Sequence, residues 1–279
     1  MHIIPVTSLE DHELEPYRTL RARTQHWKEG YCVTEGEKAV RALLASQLTV
    51  HSLLLTESWL RHLEAELQSE RFVDTKAFVA TDELMEGIVG FSLHKSLLAM
   101  GMVPVNPTLE QLHERSGGAA LHVALEGIAD AENMGMILRN CAAFGVRSMI
   151  VGADSSSPWM RRSIRVSLGN VFAMTIHHAD NLLETLQRCR EEFGWHVVGT
   201  TPRGGKPRID RVDAERPRHI CLLFGSEAHG LTDAALAHCD SRFSIPMRND
   251  VDSINVANAV AVTLYEATRS SGQFLFPQK

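Results

Sequence analysis

The chain has 279 residues, a length that suits one large domain or two modest ones. Hydrophobic residues make up 44% and charged residues 22%, a globular composition that excludes wholesale disorder. The formal net charge of −6 argues against a protein that coats nucleic acid through bulk positive charge. The sequence has no apolar run of about 18 residues, and its acidic N-terminus lacks a signal-peptide pattern, so we expect neither a membrane span nor a signal peptide.

Cysteine usage indicates a reducing compartment. The sequence holds five cysteines, an odd number, and none of them forms a CxxC pair. A disulfide framework or a zinc ribbon is therefore not indicated, and the metal-binding HExxH pattern is absent as well. We expect a cytoplasmic protein without a metal centre, in which the cysteines are small core residues.

Charge is distributed unevenly along the chain. Residues 1–118 hold 11 lysines and arginines against 17 acidic residues, whereas residues 119–279 hold 17 of each. Each of two basic clusters in the second part either contacts phosphate groups or is ordinary solvated surface. The clusters are Arg161, Arg162 and Arg165, and then Arg203, Lys206 and Arg208.

The best domain boundary is segment 104–118, which has two prolines, a polar stretch with one possible helical turn and a Gly-Gly pair. Residues 1–103 are predicted to form a small α/β domain after a polar, basic arm that contains Arg18, Arg21, Arg23 and Lys28. Hydrophobic periodicity predicts its helices at 37–45, 57–68 and 82–88, and its strands at 50–55, 77–80 and 97–103.

Residues 119–279 show a cleaner alternation of strands and helices. Strands are predicted at 120–125, 147–151, 171–176, 195–199 and 220–224, and helices at 133–144, 159–168, 182–193 and 253–268. Continuous apolar strands that alternate with helices predict an α/β domain, with a mostly parallel sheet covered by helices on both faces. Such sheets bind ligands at the carboxyl ends of their strands.

The first segment that could carry chemistry, 125–145, leads from a strand through a polar loop into a helix. Asn133 is predicted to cap this helix, because its side-chain oxygen can accept hydrogen bonds from the free N–H groups of the first turn. Arg139 follows six residues later on the polar side of the helix. A capped helix with a surface arginine is the plain alternative.

The second segment, 222–232, places a turn bounded by Gly225 and Gly230 between a strand and a helix, which is a ligand-cradling arrangement. The glycine spacing matches that of a P-loop, but Leu231 replaces the phosphate-binding lysine, and Glu227 would repel phosphate. The turn therefore suits a ligand with hydroxyl groups or a positive centre. A plain tight turn is the alternative.

The third segment, 244–266, begins with a short strand predicted to end at 245–247. A polar loop follows, and Ser253 or Asp252 is predicted to cap the last helix. Small residues at 257, 259 and 261 allow close packing of this helix, so a capped packing helix is the alternative. The whole sequence lacks G-x-G-x-x-G, which argues against a dinucleotide site.

In this order and spacing, the three segments resemble the motifs of the SpoU-type RNA ribose methyltransferases of the SPOUT superfamily. The first motif resembles N-x-G-x-x-x-R, met by Asn133, Gly135 and Arg139. The second resembles G-[SN]-E-x-x-G-[LI], met over 225–231, and the third resembles I-P-M followed by S-[LI]-N-V, met at 245–247 and 253–256. The family usually has proline where Ala131 stands, and a glycine near Asn249.

The resemblance implies a C-terminal trefoil knot within the parallel-sheet domain, and a homodimer with cofactor pockets beside its interface. It implies methyl transfer from S-adenosylmethionine to a ribose 2′-hydroxyl of ribosomal or transfer RNA. On the matched positions, the implied catalytic residues are Arg139, Asn133, Glu227, Ser253 and Asn255. The implied cofactor-binding residues are Gly225, Gly230, Ile245, Met247 and Ile254.

Arg139 takes the proton-accepting role in the mechanism that the resemblance implies. A guanidinium is essentially always protonated and has no acceptor site, so a phosphate clamp that positions the ribose is chemically easier. Both roles stay open from the sequence.

Segments 34–40 and 53–57 resemble the substrate-binding domain that precedes many of these enzymes and is similar to small RNA-binding ribosomal proteins. The expected RNA contacts are Arg161, Arg162, Arg165, Arg21 and Arg23. One alternative function is that of an RNA-binding relative that has lost catalysis. Another, based only on the near-P-loop, is that of a phosphate-binding or small-molecule enzyme of a different class.

Overall fold

A computed structural model describes residues 1–21, 26–90, 96–117, 120–202, 204–205, 219–248 and 251–271. The chain forms two compact units: unit 1 comprises Met1–Pro104 and Trp159–Phe172, and unit 2 comprises Val105–Pro158 and Ala173–Lys279. The strands are β1 (His2–Pro5), β2 (Tyr31–Glu35), β3 (Val50–Leu55), β4 (Lys76–Val79), β5 (Leu97–Met102), β6 (Ala120–Leu125), β7 (Ser148–Gly152), β8 (Thr175–Ala179), β9 (His196–Thr200), β10 (His219–Phe224) and β11 (Ser241–Phe243). The α-helices are α1 (Glu15–Arg18), α2 (Glu37–Ala45), α3 (Glu57–His62), α4 (Glu64–Leu67), α5 (Asp82–Val89), α6 (Leu109–Ser116), α7 (Ala131–Ala143), α8 (Arg161–Val166), α9 (Leu182–Phe193), α10 (Asp233–Ala237) and α11 (Val256–Ser271).

Unit 1 is built on a five-stranded mixed sheet with the order β1-β4-β3-β5-β2. Strands β1, β4 and β3 are parallel, and β5 runs antiparallel to both β3 and β2. Its core contains Leu54, Phe78 and Leu98, which are almost fully buried. The short helix α8 also belongs to this unit, because Gly169 just after it packs its backbone against Ala39 and Ala42 of α2.

Unit 2 contains a six-stranded, all-parallel sheet with the order β11-β9-β10-β6-β7-β8. Every residue of β10 is buried, as expected for a central strand of a parallel sheet. This sheet confirms the predicted α/β class, whereas the trefoil knot stays a prediction. Helix α6 begins with a capping box between Thr108 and Gln111, and it buries Leu109 and Leu112 in the unit 2 core, so the predicted linker contains a two-turn helix.

Several predicted elements have other bounds in the structure. The predicted strand 171–176 is wrong over its first half, because Asn170–Ala173 forms a 3-10 turn and β8 begins only at Thr175. Leu168 and Gly169 adopt positive φ angles of 54° and 80°, and this reversal turns the apolar residues Val171 and Phe172 inward without extending them. A short apolar run fits a buried turn as well as a strand, so periodicity alone could not separate them.

Other differences concern element ends and short strands. The predicted helix 57–68 breaks at Leu63, where φ is −102° and ψ is 7°, into α3 and α4. Strand β11 ends at Phe243, before Pro246, so the predicted strand end at 245–247 is wrong. Strands β1 and β2 were not predicted, because β1 is mostly exposed and β2 follows the polar arm. Within the described ranges, no helix combines the length and apolar character that crossing a bilayer requires.

A buried histidine pair joins neighbouring strands of unit 2. The His122 ring on β6 contacts the His219 ring on β10 through Nε2 and Nδ1 at 3.0 Å, and it stacks on Trp195 with ring centroids 3.6 Å apart. The pKa of His122 lies well below the usual value for histidine, first because of burial and then because of the nearby imidazoles of His219 and His113. Protonation of His122 is therefore less favourable in folded unit 2 than in the unfolded chain.

We expect unit 2 to lose stability as the pH falls below about 6.5, where histidine in the unfolded chain becomes protonated. One excluded proton costs up to about 1.4 kcal/mol per pH unit. The free energy of unfolding, measured in urea between about pH 7.5 and 5, should show this slope, and His122→Gln should reduce it. His12→Gln is the control, because the His12 side chain is 97% exposed. An equal slope in wild type and His122→Gln would contradict the assignment.

Candidate functional site

Unit 2 has a cavity of about 400 Å³ beyond the carboxyl ends of its strands. Its walls come from the segments that follow three neighbouring strands, 200–202 after β9, 224–230 after β10 and 243–247 after β11, and from 252–263 at the start of α11. This is the position at which parallel sheets bind ligands. The volume is that of a small-molecule site.

The turn after β10 is closed on itself by its own backbone. Ser226 and Gly230 exchange two backbone hydrogen bonds of 3.1 and 2.9 Å, and Gly230 has a φ of 69°. A Cβ atom on Gly225 would lie 2.1 Å from the Gly230 carbonyl carbon, so only glycine fits there. The turn thus brings bare backbone to the cavity wall, which suits close approach of a ligand.

Thr232 does not act as the threonine of a P-loop. Its backbone N–H and its hydroxyl donate to the Glu126 carboxylate at 2.9 and 2.8 Å, and its Oγ1 caps α10 by accepting from Ala235 N. A hydroxyl held by a carboxylate is poorly placed to bind a metal–phosphate group. Glu126 was not among the residues predicted from the sequence. The signal that could have found it is its position directly after a central strand, at the carboxyl end of the parallel sheet.

One continuous hydrogen-bonded chain links the three sequence motifs. The Asn133 amide donates from Nδ2 to Glu227 Oε1 at 2.8 Å, and its Oδ1 accepts from Asn255 Nδ2 at 2.9 Å. Asn255 Oδ1 in turn accepts from the backbone N–H of Ala257 at 2.8 Å, at the first turn of α11. Asn133 is buried, so its amide group fixes the positions of the other two side chains relative to each other.

The Glu227 carboxylate is held in its charged form by this arrangement. Burial raises its pKa, but hydrogen bonds from Asn133 and from the backbone N–H groups of Glu227, Ala129 and Asp130 outweigh burial and lower it. Both carboxylate oxygens are engaged, since Ala129 N donates to Oε2 and Asp130 N to Oε1. Glu227 therefore supplies a fixed negative charge at the cavity wall.

The structure corrects two predicted helix caps. Asp130, not Asn133, caps α7 by accepting from Glu132 N at 2.8 Å, and Asn133 lies inside the first turn. Asn255, and neither Ser253 nor Asp252, caps α11 by accepting from Ala257 N. In both cases a second good capping residue stands within three positions, and the sequence could not decide between them. Because Asn133 does not cap the helix, its side chain can form the hydrogen bonds with Glu227 and Asn255.

The structure brings most of the predicted site residues to one cavity. The residues that line it are Glu227, Ser253, Asn255, Gly225, Gly230, Ile245, Met247 and Ile254. Arg139 does not line it: its side chain is exposed on α7, and within the described residues it forms no hydrogen bond or ion pair. His229 and Asp252 also line the cavity, and the sequence analysis assigned no site role to either.

The predicted RNA-binding arginines have different surroundings. Arg161 donates to Glu35 at 2.7 Å, and Arg165 lies 3.5 Å from the same carboxylate, so Glu35 offsets part of their charge within unit 1. Arg162 is exposed on the same helix. Arg21 ends a 3-10 turn. Arg23, Arg203, Lys206 and Arg208 lie outside the described residues.

The cavity has the chemistry of a site for an uncharged or cationic small molecule. Its described lining contains two carboxylates, Glu227 and Asp252, but neither lysine nor arginine. Ile245, Met247 and Ile254 add apolar surface that suits a flat ring, and the 225–230 turn adds backbone hydrogen-bonding groups. A phosphate group would lack a cationic partner in the described lining, so the cavity favours a nucleoside-like ligand without phosphates.

The chain is similar to several known proteins. Residues 120–265 match the SpoU rRNA Methylase family. A protein of Mycobacterium bovis named as an uncharacterized tRNA/rRNA methyltransferase is 34% identical over 239 residues, which are 85% of this chain and 81% of that protein. A 23S rRNA (guanosine-2′-O-)-methyltransferase of Pseudomonas aeruginosa is 34% identical over 161 residues, which are 58% of this chain and 63% of that protein. The AdoMet-bound rRNA methyltransferase of Sinorhizobium meliloti shares the fold, with a TM-score of 0.78 at 22% identity over 96% of this chain and 98% of that chain.

Proposed function

Because the chain belongs to the SpoU rRNA methylase family, we propose that it transfers the methyl group of S-adenosylmethionine to a ribose 2′-hydroxyl of ribosomal RNA. The family makes it an RNA methyltransferase, and the relative from Pseudomonas aeruginosa is named for transfer to a guanosine 2′-oxygen. The observation that carries the proposal is the hydrogen-bonded chain Glu227–Asn133–Asn255, because it joins all three family motifs beside a cavity that Glu227 and Asn255 line.

The residues of the cavity fit S-adenosylmethionine. This cofactor has a flat adenine ring, ribose hydroxyls, an amino acid part and a positive sulfonium centre, but no phosphate. Ile245, Met247 and Ile254 would hold its apolar parts, and the backbone of 225–230 would approach it closely, because Gly225 admits no side chain. The carboxylates of Glu227 and Asp252 suit its positive groups. When bound, the cofactor supplies an electrophilic methyl group.

The other predicted residues take positioning roles in this proposal. Asn133, Glu227 and Asn255 fix the loop and the start of α11 relative to each other, and Ser253 faces the same cavity. Arg139 clamps a phosphate of the RNA, because its guanidinium is exposed and unpaired within the described residues. Holding the acceptor hydroxyl in line with the methyl group supplies a large share of the rate.

The RNA-binding surface and the domain roles belong to the proposal as well. Residues 1–103 form the substrate-binding domain, residues 104–118 connect it and residues 119–279 form the methyltransferase domain with its trefoil knot. Arg21, Arg23, Arg161, Arg162 and Arg165 contact RNA phosphates. The setting is the cytoplasm, in agreement with five cysteines that are all unpaired.

We propose that the enzyme works as a homodimer. Four apolar residues, which we call the apolar stripe, are exposed between the loop before α11 and the second half of that helix, with exposed fractions of 52% for Val251, 37% for Ile254, 43% for Val262 and 56% for Tyr265. Within α11, Val262 and Tyr265 are three residues apart and therefore lie on the same side of the helix. A second copy of this chain would cover the stripe next to the cavity that Ile254 also lines.

Val262→Glu is therefore expected to convert the protein into a monomer and to lower methyl transfer at least about tenfold, because a charge in an apolar interface opposes association. Light scattering after size-exclusion chromatography measures the oligomeric state. Val105→Glu is the matched control, because Val105 is 92% exposed and lies off the stripe. A dimer that survives Val262→Glu unchanged would place the interface elsewhere.

A transfer assay tests the proposed function. The protein is incubated with S-adenosylmethionine that carries a radioactive methyl group, together with total RNA from cells that lack the enzyme, and the labelled RNA is separated by size. Label on ribosomal RNA is the expected result, whereas label on transfer RNA would keep the reaction and change the acceptor. No label together with no cofactor binding by calorimetry would favour the alternative function, an RNA-binding relative that has lost catalysis.

A further inference from the structure

Glu126 joins two segments that leave neighbouring strands of the unit 2 sheet. Strands β6 and β10 are parallel and end side by side at Leu125 and Phe224, and the backbone N–H of Glu126 donates to the Phe224 carbonyl at 2.9 Å. The 126–133 loop follows β6, and the 225–230 turn follows β10. Both segments therefore begin at the edge of the sheet where parallel strands bind ligands.

Carboxylates connect the loop and the turn in both directions. Glu227 of the turn accepts hydrogen bonds from the loop, among them that of the Asn133 amide at 2.8 Å. In return, both oxygens of the Glu126 carboxylate accept from Thr232, one from its backbone N–H at 2.9 Å and one from its hydroxyl at 2.8 Å. Thr232 lies two residues beyond the turn, so the turn is attached to the loop on both sides.

The loop is itself held by a third segment. The backbone N–H of Ile128 donates to Ser155 Oγ at 3.1 Å, and the Ile128 carbonyl accepts from the backbone N–H of Ser156 at 2.7 Å. Both serines follow strand β7, which is the other neighbour of β6 in the sheet. The loop is therefore anchored on its far side and can serve as a fixed support for the turn.

The turn, and not its support, meets the cavity. The 225–230 turn forms one wall of the described cavity, whereas neither Glu126 nor Thr232 lines it. Two attachment points fix the orientation of the turn, and a single one would let it rotate. A shift of less than about 1 Å already turns a good hydrogen bond into a poor one. Affinity for a ligand that approaches bare backbone therefore depends on both attachments.

We infer that Glu126 is a positioning residue for cofactor binding, because it holds the 225–230 turn in the orientation that S-adenosylmethionine requires. This inference rests on the proposed function and adds to the site a carboxylate that does not line the cavity. Glu126 acts through its two hydrogen bonds to Thr232 and not through its charge. Both bonds are already present without ligand, so the turn need not be ordered when the cofactor binds.

The variant Glu126→Leu removes both acceptor oxygens and keeps a side chain of similar size. We expect its Kd for S-adenosylmethionine, measured by calorimetry, to rise at least about tenfold, because two hydrogen bonds that hold the turn are lost. Its kcat at saturating cofactor should stay within about threefold of the wild-type value. In the unliganded variant the Gly230 amide, which donates to the Ser226 carbonyl at 2.9 Å, should exchange with deuterium at least about tenfold faster.

Glu126→Gln separates hydrogen bonding from charge. Its amide oxygen can accept from the Thr232 N–H, and its amide nitrogen can donate to the Thr232 hydroxyl, so both contacts survive without the negative charge. We expect its Kd to lie within about threefold of the wild-type value. Glu114→Leu is the matched control, because Glu114 is exposed on α6 and belongs to neither the loop nor the turn.

Equal losses of affinity in Glu126→Leu and Glu126→Gln would overturn the proposal, because the charge of Glu126 would then attract the cofactor. Wild-type affinity in Glu126→Leu, together with a lower free energy of unfolding in urea, would also overturn it and leave Glu126 with a purely structural role. If the wild-type protein bound no S-adenosylmethionine, the proposed function would fail. Exchange of the Gly230 amide would still decide whether Glu126 holds the turn.

Discussion

Gly225→Ala is expected to abolish cofactor binding while both units stay folded. The new Cβ atom would lie 2.1 Å from the Gly230 carbonyl carbon and 2.2 Å from the Leu231 nitrogen, and backbone atoms cannot move aside as a flexible side chain can. Opening the turn to admit it costs about 3 kcal/mol or more, which corresponds to at least about a 100-fold loss of affinity. Calorimetric titration with S-adenosylmethionine measures this loss directly.

Gly194→Ala separates a local clash from a general cost of replacing glycine. Gly194 also has a positive φ, 65°, but a Cβ atom there would have no neighbour within 4 Å. This variant should lose about 1 kcal/mol of stability through backbone strain and keep its cofactor affinity. Wild-type affinity in Gly225→Ala would show that the 225–230 turn does not form the cofactor site.

Asn133→Asp is expected to reduce kcat/KM for methyl transfer about 10² to 10³-fold. The substitution replaces the amide that donates to Glu227 at 2.8 Å with a second carboxylate, and it keeps the oxygen that accepts from Asn255. Two carboxylates at this distance repel each other, and the loss of a partly buried hydrogen bond to a charged group costs about 2 kcal/mol. The free energy of unfolding in urea and the initial rate of methyl transfer measure the two effects.

A double variant that exchanges the amide and the carboxylate between residues 133 and 227 provides an internal control for this prediction. In Asn133→Asp combined with Glu227→Gln, the glutamine amide can donate to the new aspartate, so the direction of the hydrogen bond is reversed and the wild-type net charge of the pair is restored. We expect the double variant to recover at least about 1 kcal/mol of the stability lost by Asn133→Asp alone. Purely additive losses would show that the contact between residues 133 and 227 carries little energy.

The sequence predicted the sheet of unit 2 because its central strands are largely apolar runs. Strand β6 has the predicted bounds Ala120–Leu125, and β10 differs from its prediction by one residue. Strand β1 was not predicted, because a short edge strand that is mostly exposed shows little hydrophobic periodicity. Helix bounds were least secure where several residues compete as caps, as at Asp130 and Asn133.

Individual residues of the site were predictable from the sequence, but their arrangement in space was not. Residue types in motif order indicated Gly225, Asn133 and Asn255, since a bare turn and polar residues at helix starts are local features. The hydrogen bonds from Asn133 to Glu227 and Asn255 join residues that are 94 and 122 positions apart, so only the fold brings them together. The cofactor and catalytic roles of these residues stay predictions.

His229 illustrates a different limit of sequence reasoning. A lone histidine is more often a structural hydrogen-bonder than part of a functional site, so its residue type alone did not single out His229. The structure shows that the ring lines the cavity while Glu227 is fully engaged, and these are two facts about surroundings. Neither fact can be predicted from the spacing of residues in the sequence.

Alkaline hydrolysis of the methylated RNA tests the central claim most directly. Alkali cleaves RNA through attack by the free 2′-hydroxyl, so a 2′-O-methyl group protects the adjacent phosphodiester bond. RNA labelled by the wild-type protein with radioactive S-adenosylmethionine is hydrolysed completely and separated by charge. Radioactivity in alkali-stable dinucleotides is the predicted result. Radioactivity in mononucleotides would mean that a base receives the methyl group and would contradict ribose methylation at this site.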